Sequence, residues 1–210
     1  LWAAAELWRT TGSDAYHSHF LANYERFVAS ASTPSWPHVA PMALWTYALS
    51  GRENIDATAR DLIGARVSQV ANDLVDRIAA SPYRTAMTSS DFIWGSNAQA
   101  ANYSMLLLVA NALSPDPRFP NASLENLHYL LGRNPFSVSW VTAVGTEWFK
   151  KPHHRPSVAD GIQEPWPGLL AGTPVIDITG HRQTQSYLNE VVWHLTRGPH
   201  LAVQPVNHAG

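Results

Sequence analysis

The chain contains no cysteine, so it can form no disulfide and offers no thiolate to a metal or a substrate. That absence leaves its redox compartment open. Charge is sparse as well: 14% of the 210 residues are charged, and the formal net charge is −2. Lys and Arg are scattered, so no basic field exists to track nucleic-acid phosphates or an anionic membrane. No apolar run approaches the roughly 20 residues that cross a bilayer. There is no Gly-x-Ser-x-Gly elbow, phosphate loop or dinucleotide-binding glycine motif. No strand pattern, fixed-period repeat or low-complexity tract is visible, and nothing calls for a cofactor.

Aromatic surface is abundant, with nine Trp, seven Tyr and six Phe. Large rings mostly fill cores. Trp is also the side chain that stacks on the apolar faces of sugar rings. At this length a single domain is the default.

Helical spacing dominates the first two thirds. Residues 1–11 carry apolar positions 1, 2, 4, 5 and 8 and end at Gly12, the pattern of a helix closed by a glycine. Ser13 and Asp14 are placed to cap a second helix bearing Tyr16, Phe20, Tyr24 and Phe27. A third runs from Met42 to Leu49. The longest pattern covers 56–80, with Leu62, Val67, Val70, Leu74 and Ile78 on one stripe. Residues 97–113 form another helix, whose stretch 105–110 is apolar all round and is expected to be buried. Pro115, Pro117 and Pro120 punctuate a loop before a short helix over 122–131. From Gly132 to Ser186 the chain reads mainly as loop, and a last helix is expected over 185–195. A structureless run that long tends to carry function.

That loop-rich third holds LLGRNPFSVSWVTAVG (130–145), PHHRPS (152–157), PGLLAG (167–172) and SYLNE (186–190). Two adjacent histidines and an arginine stand between prolines, and a carboxylate follows an asparagine. This reads as the rim of a cleft built from loops. The adjacent histidines also raise a metal site. Neighbours in an extended loop point to opposite sides, however, and no Cys or third spaced His completes a ligand set. Asn121-Ala122-Ser123 is a formal glycosylation sequon and a weak signal alone.

In this order, these motifs resemble the C-terminal half of the catalytic domain of glycoside hydrolase family 9, the cellulases and related β-glycosidases. The resemblance extends upstream through WGSN (94–97) to LWAAAELWRTTGSDAY (1–16). It implies an all-α fold, an α/α toroid of the (α/α)6-barrel type, with residues 1–210 supplying a partial barrel and long C-terminal loops. Because the chain opens at Leu1 inside an apolar helical pattern, an N-terminal half of the same domain is expected to precede it. The resemblance implies hydrolysis of β-1,4-linked glucans by inversion, which needs one carboxyl group to protonate the leaving oxygen and another to activate water. Glu190, in Asn189-Glu190-Val191, matches the family's general acid. His153 and Arg155 match its sugar-binding His-x-Arg, and Trp94 matches a Trp that flanks a bound ring. The family's base is an Asp in a motif that no segment here matches, so it is expected on the preceding segment. Asp160 and Asp177 read as turn or cap residues. The implied partner is a glucan or oligosaccharide, with no nucleic acid and no membrane, and an extracellular site is favoured over a cytoplasmic one.

Two departures bear on the reading. Many endoglucanases of the family follow WGSN with Arg-Tyr, where this chain has Ala98 and Gln99. After Glu190 the family usually continues Val-Ala-Ile-x-Trp-Asn-Ala-Pro, where residues 191–199 read VVWHLTRGP. An exo-acting β-glucosidase or glucosaminidase, or a carbohydrate-binding or scaffold fragment without catalysis, are the alternatives.

Overall fold

The computed structural model describes residues 1–172 apart from Trp36, Trp94, Lys151 and His153. Among the described residues the only regular elements are helices, with three isolated β-bridges and no strand. The chain divides into two compact units. One comprises Leu1–Ala86 with Ala101–Asn126; the other comprises Met87–Ala100 with Leu127–Gly210.

In the first unit, α1 (Trp2–Thr11) ends at Gly12, whose φ of 74° lets its N–H reach Trp8 O at 2.8 Å. Arg52 donates from Nε and Nη2 to Arg9 O at 3.0 and 2.8 Å, satisfying a carbonyl that the helix end leaves open. Glycine is required here by its positive φ; a Cβ would also lie 2.7 Å from Arg52 Nη1, a contact the flexible arginine end can relieve by shifting.

The aromatic run that spacing assigns to one helix is split into α2 (Asp14–Leu21) and α3 (Glu25–Val28). At the break, Asn23 Nδ2 donates to His19 O at 2.8 Å, a side-chain bond that competes with helix continuation. Phe20, Tyr24 and Val28 are buried, whereas Tyr16 stays exposed. Trp8, His17 and Phe20 stack around Tyr47 of α4 (Ala40–Ala48), with Phe20 and Tyr47 centroids 4.1 Å apart. The Tyr47 hydroxyl accepts from Asp56 N at 2.9 Å and bonds His17 Nε2 at 2.9 Å. The core of this unit is therefore an aromatic stack tied together by one phenol.

Asp56 caps α5 (Ala57–Ala80), its carboxylate accepting from Ala59 N at 2.8 Å. The buried stripe is Ala59, Ile63, Val67, Ala71, Leu74 and Ile78. Leu62 is 43% exposed and Val70 half-buried, contrary to the expected stripe. Alanines at 59 and 71 hold the inner face, which hydropathy alone underweights. Helix α6 (Ser96–Leu113) buries Leu106, Leu107 and Ala110, yet Leu108 is 52% exposed, so its apolar stretch is not buried all round. Helix α7 (Arg118–Leu130) starts four residues before the expected position, because Pro120 falls in its first turn, where no intrahelical N–H is needed. The glycosylation sequon thus lies in a helix, with Ser123 buried. Asn126 Oδ1 accepts from Thr85 Oγ1 at 2.7 Å and Ala86 N at 3.0 Å.

In the second unit, Asn134 closes the turn after α7. Its Nδ2 donates to Tyr129 O and Val138 O, both at 2.8 Å, and its Oδ1 accepts from Phe136 N. Trp140 packs edge-on to Phe136 and tilted against Phe149. As the spacing predicts, residues 132–172 are largely loop, but α8 (Arg155–Ala159) interrupts them. The helix expected over 185–195 lies outside the described residues.

Candidate active-site loops

The loops of the second unit are fixed by side chains. Thr142, fully buried, is the main rivet. Its N–H donates to Leu169 O at 3.0 Å and its carbonyl accepts from Gly168 N at 2.8 Å. Its hydroxyl donates to Trp166 O and accepts from Leu169 N at 2.9 Å. Thus PGLLAG is clamped to the 139–144 segment on both sides of one residue. Two residues on, Ala171 N donates to Trp140 O at 2.7 Å.

Asn97, the last residue of WGSN, secures the end of the same loop. Its Nδ2 donates to Ala171 O at 2.8 Å and its N–H to Gly172 O at 3.2 Å. The side chain is fully buried, and its Oδ1 has no hydrogen-bond partner among the described residues. A buried acceptor left in this way costs stability.

PHHRPS starts α8. His154 is its N-cap: Nδ1 lies 2.8 Å from Ser157 Oγ and accepts from Ser157 N at 3.4 Å. Ser157 Oγ in turn accepts from Trp166 N at 3.1 Å. Because the Ser157 N–H also points at Nδ1, that nitrogen is the acceptor in the neutral ring: the hydroxyl donates to it and the ring proton lies on Nε2. Pro156 occupies the first turn, where its missing N–H costs nothing. Arg155 is the first residue of this helix, exposed, and no described residue accepts from its guanidinium. It stands at a helical position rather than in the extended loop that the sequence suggested.

Asp160 follows α8. Its Oδ1 accepts from Ile162 N at 2.9 Å and its Oδ2 from Trp166 Nε1 at 2.7 Å. The Ile162 amide first, then the indole, holds the carboxyl below the usual aspartate range. Both oxygens are committed to the turn, in keeping with a turn residue. Trp94, His153, Glu190 and Asp177 lie outside the described residues; Arg155 alone of the four candidate site residues lies within them. Among the described residues no three His, Cys, Asp or Glu side chains cluster as a metal site would require.

Sequence reasoning missed His154, Thr142 and Trp166. The available signal for Trp166 was its setting, Pro165-Trp166-Pro167, a large ring fixed in a stiff loop just after PHHRPS.

The pattern that defines glycosyl hydrolase family 9 matches residues 1–194, and the chain belongs to that family. It is 34% identical over 173 residues to Endoglucanase D of Acetivibrio thermocellus, covering 82% of this chain and 28% of that protein. It is 33% identical over 187 residues to a cellodextrinase of Butyrivibrio fibrisolvens, covering 82% and 34%. Among solved structures, a metagenome-derived family 9 endoglucanase superimposes with a TM-score of 0.75 at 33% identity, covering 89% of this chain and 36% of that one. The chain therefore spans about a third or less of the length of these curated relatives. Its fold class is all-α, that of the family's α/α toroid in part.

Proposed function

We propose that this chain is part of a glycoside hydrolase that cleaves β-1,4-linked glucans by an inverting mechanism. The observation that carries the reading is the family match across residues 1–194, an interval that contains Trp94, His153, Arg155 and Glu190 together. The endoglucanase and cellodextrinase names of its relatives supply the substrate class.

In this reading Glu190 is the general acid that protonates the leaving oxygen. His153 and Arg155 donate hydrogen bonds to sugar hydroxyls beside the cleavage point, and Trp94 flanks a ring. Arg155 suits the role because its guanidinium is exposed on a short helix pinned at its start by His154 and Ser157. A donor held on a fixed backbone loses little freedom when it binds. The second carboxylate lies outside residues 1–210. Asp160 is a poor substitute, since amide and indole donors already occupy both its oxygens. A polymeric substrate does not cross membranes, which favours an extracellular site of action.

A second reading, an exo-acting enzyme on short oligosaccharides, is favoured by Ala98 and Gln99 after WGSN and by the cellodextrinase relative. Both are tested by assaying the full-length enzyme, residues 1–210 joined to the rest of its catalytic domain, on carboxymethyl cellulose and cellohexaose, with product anomers followed by NMR. Internal cleavage with inversion is expected. Retention of configuration refutes the mechanism, single-unit release favours the exo reading, and binding without turnover identifies a carbohydrate-binding module.

A further inference from the structure

We propose that Trp166 is a sugar-stacking platform, a contact for a glucose ring of the glucan in addition to those of Trp94, His153 and Arg155. The inference rests on the glucan-hydrolase reading.

The indole is fixed on several sides. Its Nε1 donates to Asp160 Oδ2 at 2.7 Å, its backbone N–H donates to Ser157 Oγ at 3.1 Å, and its carbonyl accepts from Thr142. The His154 ring packs edge-on, with centroids 5.2 Å apart. Pro165 and Pro167 stiffen the chain on either side. Yet the side chain, with its polar edge satisfied and its orientation set, remains 49% exposed. Large apolar side chains that are held rigid and left open to solvent are what binding surfaces use, because little freedom remains to be lost. An indole buried for packing alone would not be expected to keep half its surface.

The surroundings point the same way. Val158 of α8 and Ile162 in the turn that follows it are 79% and 64% exposed. Arg155 lies three residues before Val158 on one turn of helix, so those two side chains are neighbours. The segment 155–166 thus carries apolar surface and a guanidinium with no acceptor among the described residues. This combination suits a pyranose, whose axial C–H faces are apolar and whose equatorial hydroxyls accept and donate hydrogen bonds.

A stacking platform contributes to chains long enough to reach it. The test is isothermal titration of the full-length enzyme with cellohexaose and with cellobiose, for wild type, Trp166→Ala and Trp166→Phe. Trp166→Ala is expected to weaken cellohexaose about tenfold, the scale of one partly buried aromatic contact, and to leave cellobiose unchanged. In turnover, KM for cellohexaose should rise with kcat unchanged. Trp166→Phe keeps the backbone bonds and a smaller ring, and should fall between the two, which separates lost stacking from lost folding. Affinity for cellohexaose within twofold of wild type in Trp166→Ala overturns the proposal. Equal weakening on both sugars overturns it too, as the mark of a structural role. Wild-type protein that binds neither sugar overturns the platform together with the glucan reading beneath it.

Discussion

Asn97 offers the sharpest physical test of how the candidate loops are held. It is fully buried, its Nδ2 donates to Ala171 O at 2.8 Å, and its Oδ1 has no partner among the described residues. Two opposing terms follow. Asn97→Ala removes a hydrogen bond with a net value of about 1 kcal/mol and strands the Ala171 carbonyl, at about 1–3 kcal/mol. It also removes the orphaned oxygen, which relieves a penalty of similar size. The net cost should be small, about 1 kcal/mol. Asn97→Asp is nearly isosteric but places a carboxylate oxygen against Ala171 O without relieving the orphan. With a buried, unpaired charge the cost at neutral pH should be at least about 3 kcal/mol. Protonation repairs the contact, since a neutral carboxyl donates to Ala171 O as the amide did. The folded-state pKa of the new Asp is therefore raised above its unfolded value. Its stabilising contact is fully present below about pH 4 and is lost as pH rises through the folded pKa. Urea denaturation of the three proteins at pH 7 and pH 4 measures this directly. An aspartate variant no less stable than the alanine variant at pH 7, or a penalty that does not change with pH, would refute the enclosed amide–carbonyl contact.

Other outcomes follow from the same coordinates. Burial pushes Tyr129 up to about 12 from its ordinary value of 10.0. With a raised folded-state pKa, its contribution is intact below pH 10 and is lost between 10 and 12, about 3 kcal/mol in all, so tyrosinate absorbance from this ring should appear only with alkaline unfolding, and Tyr129→Phe should remove the effect. Asp160, held low by Ile162 N–H and the Trp166 indole, should keep the ring pinned until acid pH below the ordinary aspartate value. Trp166 emission difference spectra against Trp166→Phe should show that acid midpoint, and a midpoint at or above the ordinary value would contradict the pairing. Glu190→Gln in the full-length enzyme should abolish turnover of substrates with poor leaving groups, while cellohexaose binding stays within a few-fold. Residues 1–210 alone should not hydrolyse cellulose or β-glucosides. Robust activity would mean that a carboxylate of this segment serves as base.

Helices were legible where local chemistry was decisive. Gly12 is an end signal whose physics is contained within a few residues, and it closes α1 as spacing implies; Asp56, the first residue of the expected 56–80 pattern, is the N-cap of α5. The reading failed where small or polar residues outvoted hydropathy. Ala59 and Ala71 take the buried face of α5 because close helix approach needs small side chains, leaving Leu62 outside. Asn23 interrupts an aromatic run that has correct helical spacing throughout. Proline misled in the opposite direction at Pro120, since its effect depends on whether it falls in the first turn. Within the loops, the sequence indicated that 132–172 avoids regular structure but not what holds it. Thr142 and Asn97 act there through contacts with partners 24 and 74 residues away, which no window of local pattern contains.

The same distinction explains why the site was easier to name than to build. PHHRPS is recognisable because its residue types are chemically scarce: imidazole and guanidinium between prolines have few structural uses. What the sequence did not disclose is the division of labour inside it. His154 is consumed in capping α8, where its Nδ1 meets Ser157, and this leaves Arg155 at the helix start without an acceptor among the described residues. A histidine spent on structure next to an arginine left available is an arrangement for holding one donor still. The cap reaches further, because Ser157 also accepts from Trp166 N, so the hydroxyl that closes the helix start fixes the loop that follows. Replacing Ser157 by Ala should therefore weaken the Arg155 and Trp166 contributions together. Double-mutant cycles between Ser157 and each of them should give coupling energies well above zero, on the order of 0.5 kcal/mol or more. Strict additivity would mean that α8 keeps its geometry without the cap, and that the adjacent histidine is incidental to the placing of Arg155.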